Sequence, residues 1–312
     1  MVDVAICIIT CLRPRGLARL LASLARLEFR KNEHVSLAIV VVDNDAAGSA
    51  RPVVERACAS LPWPVRYDVE PQRGISFARN RAVALAGACA LLAFVDDDET
   101  VEPAWLDELL DAQRRCEADL VSGPVSYLFE DDPPRWIVVG RFFERRFEYR
   151  RRPTGSSIGV ASTANMLVRR QALERVPGPF DPRFALTGGS DALLTRQLAR
   201  AGARMVWCDE AIVHTSLPAS RITAKWILQR AYRAGMTAAQ IDRALQPTPR
   251  HMALRALRGG VCLALGLAGL APALLRGRAG AVGMLRYVAR GAGTLSALVG
   301  GRFEEYRHIH GS

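Results

Sequence analysis

The chain has 312 residues, half of them hydrophobic, and a formal charge of +11. That suffices for one large domain or two modest ones. Its seven cysteines (Cys7, Cys11, Cys58, Cys89, Cys116, Cys208, Cys262) are dispersed and form no CxxC pair, which argues against a disulfide framework or a zinc site and fits a reducing compartment.

Residues 4–9 are a strand candidate, and with Asp3 rather than a basic stretch ahead of them they do not read as a signal peptide. The helix that follows carries an apolar stripe of Leu17, Leu20, Leu21, Leu24 and Leu27. Residues 35–42 form a second buried-type strand, which ends in Asp43-Asn44-Asp45. A helix over 52–61 and a short strand over 65–69 come next, then Gly74 and a helix to about residue 88. An apolar run over 90–95 ends in Asp96-Asp97-Asp98-Glu99. Beyond it the pattern gives a helix over 103–115, a strand over 120–125, a loop-like stretch over 130–157 and a strand over 161–168. A short helix over 170–174, a helix over 192–201 closed by Gly202, and a last strand over 205–208 follow, with His214 beyond. Strands alternating with helices at this spacing mean βαβ units, hence an α/β fold with a mainly parallel sheet flanked by helices.

The four acids at 96–99 sit at the carboxyl end of a buried strand, where open α/β sheets bind ligands. Adjacent carboxylates repel one another unless a cation sits among them, and a hard divalent ion such as Mg2+ or Mn2+ prefers oxygen ligands. The rival reading is an acidic first turn for the next helix, with Glu99 and Glu102 ahead of Pro103. Asp43 reads either as an acceptor for a ribose or base edge or as a turn cap. Arg79 reads as a charge partner for a diphosphate or the acids, or as a solvated helix residue.

The stretch from Arg141 to Arg152 holds six arginines with Phe142, Phe143, Phe147 and Tyr149 among them. Arginine with aromatics suits single-stranded nucleic acid, but one short run is weak ground for it. An acceptor-contacting or membrane-surface segment, or a solvated loop, is preferred, and no nucleic-acid partner is expected. From Arg250 onward nine arginines face only Glu304 and Glu305, a basic and apolar tail that suits an anionic membrane surface. Residues 259–275 carry no charge over 17 residues, at the short edge of the roughly 17–25 needed to span a bilayer. Residues 279–300 are apolar but interrupted by Arg286 and Arg290, which fits an interfacial helix. The alternative is a soluble helical hairpin packed on the catalytic domain or on a second copy, as in a homodimer. The expected division is a catalytic domain over 1–220 and a helical, membrane-associating region over 221–312.

The ordered set of Thr10, Asp43-Asn44, Gly74 with Ala78-Arg79-Asn80, Phe94-Val95-Asp96-Asp97-Asp98, Gly188-Gly189-Ser190-Asp191, Ala201-Gly202 and Val213-His214 resembles the family 2 glycosyltransferases of the GT-A fold over residues 3–216. Wider stretches, such as Ile75-Ser76-Phe77-Ala78-Arg79-Asn80 and Gly123-Pro124-Val125 ahead of Pro134-Arg135-Trp136, resemble the glucosyltransferases of exopolysaccharide assembly within that family. The resemblance implies an inverting, metal-dependent transfer of a hexose from a UDP-sugar to a lipid-linked oligosaccharide at the cytoplasmic face of a bacterial inner membrane. It implies that Thr10, Asp43, Arg79, Asp96 and Asp97 line the donor pocket. Asp98, Asp96 and His214 would hold a divalent metal, and Asp191 would be the catalytic base. One position departs: the family's glutamate before the base is Ser190 here.

Two rivals remain at this stage. A nucleotidyltransferase would want a basic, glycine-rich loop after the first strand, and residues 10–14 lack one. A sugar- or nucleotide-binding scaffold without catalysis has Ser190 as its only support.

Overall fold

The structure is a computed structural model that describes residues 2–143 and 152–305. The chain divides into two compact units. Of the described residues, one comprises 2–128 and 152–216, and the other 129–143 and 217–305. The sequence reading assigns 129–143 to the catalytic domain, whereas these residues cluster with the C-terminal helices. Residues 144–151 of the basic-aromatic run lie outside the described residues.

The elements of the first unit, in order, are β1 (Val2–Thr10), α1 (Pro14–Leu24), β2 (Val35–Asp43), α2 (Arg51–Cys58), β3 (Val65–Val69), α3 (Ile75–Leu85), β4 (Leu91–Phe94), β5 (Glu99–Val101), α4 (Trp105–Arg115), β6 (Leu120–Ser122) and β7 (Val125–Phe129). After α5 (Arg135–Gly140), which belongs to the second unit, come β8 (Met166–Arg169), α6 (Arg170–Glu174), α7 (Ser190–Arg200), β9 (Met205–Trp207) and β10 (Val213–Leu217). Seven strands form one sheet in the order β3-β2-β1-β4-β8-β6-β9. β1 runs parallel to β2 and β4, and β2 parallel to β3. β8 is antiparallel to both β4 and β6, so the sheet is mostly parallel.

β1, β2 and β4 are near-continuous apolar runs because both faces of the sheet are covered. One face packs Ile6, Ile8, Ile39, Val41 and Ala93 with the leucines of α1 and with Trp105, Leu106 and Leu109 of α4. The other packs Ala5, Cys7, Val40, Phe94 and Met166 against Ala78 and Ala82 of α3, against Leu194 of α7, and against Phe180 in the loop ahead of it. The leucine stripe of α1 points inward as its spacing predicts. Burial of this apolar area is the main stabilising term, at about 25 cal/mol per Å2.

Three expectations need correction, and one rival reading falls. The stretch over 130–157 holds the helix α5, and the strand at 205–207 is not the last, since β10 follows it. Residues 161–165 are not strand; β8 begins at Met166, and the loop before it turns Asn165 inward. The Asn165 amide donates to the carbonyls of Pro124 and Ala211, and its Oδ1 accepts from the Trp105 indole at 2.9 Å. Glu99 does not open a helix. It starts β5, the edge of a small sheet in the order β5-β10-β7.

The second unit is helical: α5, then α8 (Ala224–Leu245), α9 (Pro249–Ala268), α10 (Leu270–Leu274) and α11 (Gly277–Leu298). Among the described residues no helix is long and apolar enough to cross a membrane.

Candidate functional site

The parallel register sets the site. Thr10 ends β1 beside Asp43 at the end of β2, and the acidic turn leaves the end of β4 next door. Each carboxyl end therefore presents a polar residue to one rim, but the three are used differently.

Asp43 is fully buried. Its carboxylate accepts from the backbone N–H of Ala50 at 2.7 Å and of Asp45 at 3.1 Å, and from the Tyr67 hydroxyl at 3.0 Å. This is the turn-cap alternative, realised with three donors. The Asn44 amide donates to the carbonyls of Glu70 and Gln72, and its Oδ1 accepts from the Gly74 N–H at 2.7 Å. The pair thereby fixes the β2–α2 loop and the β3–α3 loop.

The acidic turn is clamped from below. The Thr10 hydroxyl donates to Asp97 Oδ2 at 2.7 Å, and Arg13 donates to Asp97 Oδ1 at 3.0 Å. Arg13 also lies 3.5 Å from Asp98 Oδ2. Burial works against the Arg13 charge, but the Asp97 and Asp98 carboxylates outweigh it and hold the guanidinium protonated. Burial pushes the Asp97 carboxyl up to about 6, with Arg13 opposing. Gly16 lets α1 approach, since a Cβ there would lie 2.6 Å from the Asp97 carbonyl oxygen. Glu99 is buried beneath, accepting from the Asp96 N–H and the Thr215 hydroxyl, both at 2.9 Å. Burial first, then the Asp96 and Asp98 charges, raise its carboxyl well above the usual range.

Asp96 is the open member, its side chain 37% exposed. Arg79 of α3, itself buried, reaches to 3.6 Å from Asp96 Oδ1 and donates to the Ser190 hydroxyl at 3.3 Å. The Arg79 guanidinium also lies over the Phe180 ring. Partial burial raises the Asp96 carboxyl, Arg79 opposes, and the Asp98 and Asp191 charges add to the rise. Asp191 follows Ser190 in the first turn of α7 and accepts from the Ser162 hydroxyl at 3.2 Å. Gly188 and Gly189 enter the helix at φ of 76° and 97°, a left-handed entry that disfavours any side chain with a Cβ. The segment ahead is pinned to α3 by Asn80, which exchanges hydrogen bonds with the Phe180 backbone, and by Ile75 N–H donating to the Ala185 carbonyl.

The structure thus gathers Thr10, Arg79, Asp96, Asp97, Asp98 and Asp191, with Asp43 alongside but occupied. His214 stands on β10 opposite Thr100. Its Nε2 pairs with Glu102 Oε1 at 2.7 Å, while its Nδ1 is buried without a hydrogen-bond partner. The described residues hold one compact trio of metal-capable side chains, Glu108, Cys208 and Glu210, and none of the residues at this rim belongs to it. Sequence reasoning missed Arg13, Ser162 and Glu102. Arg13 sits in the loop over 10–14, and its signal was a cation just ahead of Pro14 at a helix start, with Arg15 two residues on.

A mostly parallel α/β sheet with a carboxylate-rich rim facing a second acid on a helix start defines a GT-A-like glycosyltransferase fold. The fold is shared with the mannosyltransferase PcManGT from Pyrobaculum calidifontis, solved with GDP-Man and Mn2+, at TM-score 0.63 and 17% identity over 94% of this chain and 87% of that one. S. aureus TarS 1–349, solved with UDP, matches at TM-score 0.50 and 17% identity over 94% of this chain and 90% of that one. The Glycosyl transferase family 2 description matches residues 5–176. The succinoglycan biosynthesis protein ExoM of Rhizobium meliloti (strain 1021) is 34% identical over 236 residues, 76% of this chain and 73% of that protein. The chain belongs to glycosyl transferase family 2.

Proposed function

We propose that the chain is a metal-dependent, inverting hexosyltransferase that moves a sugar from a UDP-sugar to a hydroxyl of a lipid-linked oligosaccharide in cell-surface polysaccharide synthesis. The observation that carries the reading is the meeting of Asp96, Arg79 and Asp191 at the carboxyl ends of the parallel strands. The likeness to ExoM supports exopolysaccharide assembly as the setting, and the GT-A-like fold is compatible with a nucleotide-sugar donor.

The residues suit a divalent ion. Asp96, Asp97, Asp98 and Asp191 supply carboxylates against only Arg13 and Arg79 among the cations named at this rim; burial raises the Asp96 carboxyl, Arg79 opposes, and the Asp98 and Asp191 charges add to the rise. Asp98 and Asp96 would hold the ion. His214 would join them through its unpartnered Nδ1, oriented by Glu102 on the other nitrogen. Bound there, the ion would neutralise the departing diphosphate. Arg79 adds a fixed cation beside the same carboxylates, and Arg13 holds the turn in shape.

Asp191 would take the proton of the acceptor hydroxyl. A single displacement needs one such base and no second nucleophilic carboxylate. The first turn of α7 positions its carboxylate, and Ser162 fixes one oxygen. Ser190 gives Arg79 a neutral partner where the family has a carboxylate, so Asp96 is the acid that Arg79 serves. The test is UDP release from a panel of UDP-sugars with Mg2+ or Mn2+. One donor should turn over, chelation should abolish release and added metal should restore it. Metal-independent turnover would overturn the reading.

A further inference from the structure

We propose that the outward face of α9, with the α10–α11 corner, docks on an anionic lipid surface. The proposal does not rest on the glycosyl-transfer reading. In a helical bundle folded in water, large apolar side chains face inward and small or polar ones face out. α9 reverses this. Its inner face meets α11 through glycines: a Cβ on Gly266 would lie 2.7 Å from Val288, and one on Gly291 only 2.6 Å from the Gly259 carbonyl. On the opposite face Leu254, Leu257, Val261 and Leu265 stand in solvent, Leu257 and Leu265 being 63% and 60% exposed. These four recur at three- and four-residue steps, so they form one stripe along the helix. At the corner Leu275 is 91% exposed. Small-inside, large-outside packing suits helices whose outer surroundings are apolar.

Charge selects the occupant. Residues 243–303 contain nine arginines and no acid. Arg250 and Arg258 lie in the exposed stripe, and Arg276 is exposed beside Leu275. A second copy would bring basic surface against basic surface. Anionic headgroups bring the opposite charge, and the stripe supplies the apolar face of an interfacial helix. With no helix able to cross a membrane among the described residues, the segment lies on the surface.

The test is co-sedimentation of the full chain with vesicles of phosphatidylcholine, with and without phosphatidylglycerol, beside size-exclusion light scattering. The wild type should bind the mixed vesicles more tightly. Leu257→Glu with Leu265→Glu should lower that binding by about tenfold or more, with an unchanged thermal melt because both side chains point outward. Arg250→Gln with Arg258→Gln should lower binding to the mixed vesicles alone, by about fivefold per charge. Wild-type binding that neither double variant reduces would overturn the proposal. So would a wild type that binds no vesicle but forms a dimer that the glutamate variant splits.

Discussion

Two neighbouring strand ends carry the same residue type and use it in opposite ways. At the end of β2, Asp43 has no exposure and three short donors, so most of its acceptor capacity serves the fold. At the end of β4, Asp96 is more than a third exposed, has Arg79 no closer than 3.6 Å, and feels Asp98 and Asp191. An acid whose lone pairs are mostly taken stabilises the chain, whereas one left with most of its capacity amid like charges can meet a ligand. Position at a strand end is therefore not enough to name a donor-binding residue; what each carboxylate already accepts decides.

The comparison can be broken by exchanging the roles. The largest effect is expected for Asp191→Asn, which keeps the shape and removes the proposed base: turnover should fall by about 10²–10⁴-fold with the melting temperature unmoved, read by UDP release and calorimetry. Asp43→Ala should do the reverse. It leaves the Ala50 N–H and the Tyr67 hydroxyl without their acceptor, so urea unfolding should show a loss of about 2–6 kcal/mol, at roughly 1–3 kcal/mol per orphaned group. If Asp43→Ala left stability intact and abolished donor binding, the division drawn here would fail.

Asp107 sharpens the point away from the rim. It is buried in α4, and burial alone would raise its carboxyl. The Asn32 amide and the N–H groups of Arg30, Lys31 and Asn32 all donate to it, and together they lower it instead. A depressed carboxyl contributes stability that is fully present above the ordinary aspartate value of about 3.9 and is lost as pH falls through the lower folded value. Asp107→Asn should cost about 1–3 kcal/mol at neutral pH, and its urea midpoint should converge with that of the wild type as pH drops below about 4. The smallest effect is expected for Ser190→Glu. A carboxylate there should draw Arg79 from Asp96 and change the KM for donor by a few-fold, roughly the 1 kcal/mol of a partly exposed ion pair.

Much of this was legible in the residues. The runs at 35–42 and 90–95, closed by acids, gave two parallel strands and the rim where they end, because strands buried on both faces read as unbroken apolar stretches. The order Ser190-Asp191 after two glycines marked the second acid. The small sheet was not legible, since β5 has three residues and its partner β10 brings His214 to Glu102 across 112 residues. Nor was the Arg13 clamp, a pair formed across 84 residues. Local propensity carries no information on such pairings. The inward turn of Asn165 was hidden for the same reason, as it serves Trp105, Pro124 and Ala211 from three separate segments.

The central claim is that Asp191 acts on the acceptor while the β4 acids serve the donor. The most direct measurement is donor affinity and transfer rate for Asp191→Asn beside the wild type, with metal present, by calorimetry and UDP release. The account predicts donor binding within about threefold of wild type and transfer reduced by at least about 10²-fold. Undiminished transfer, or loss of donor binding in the same variant, would contradict it.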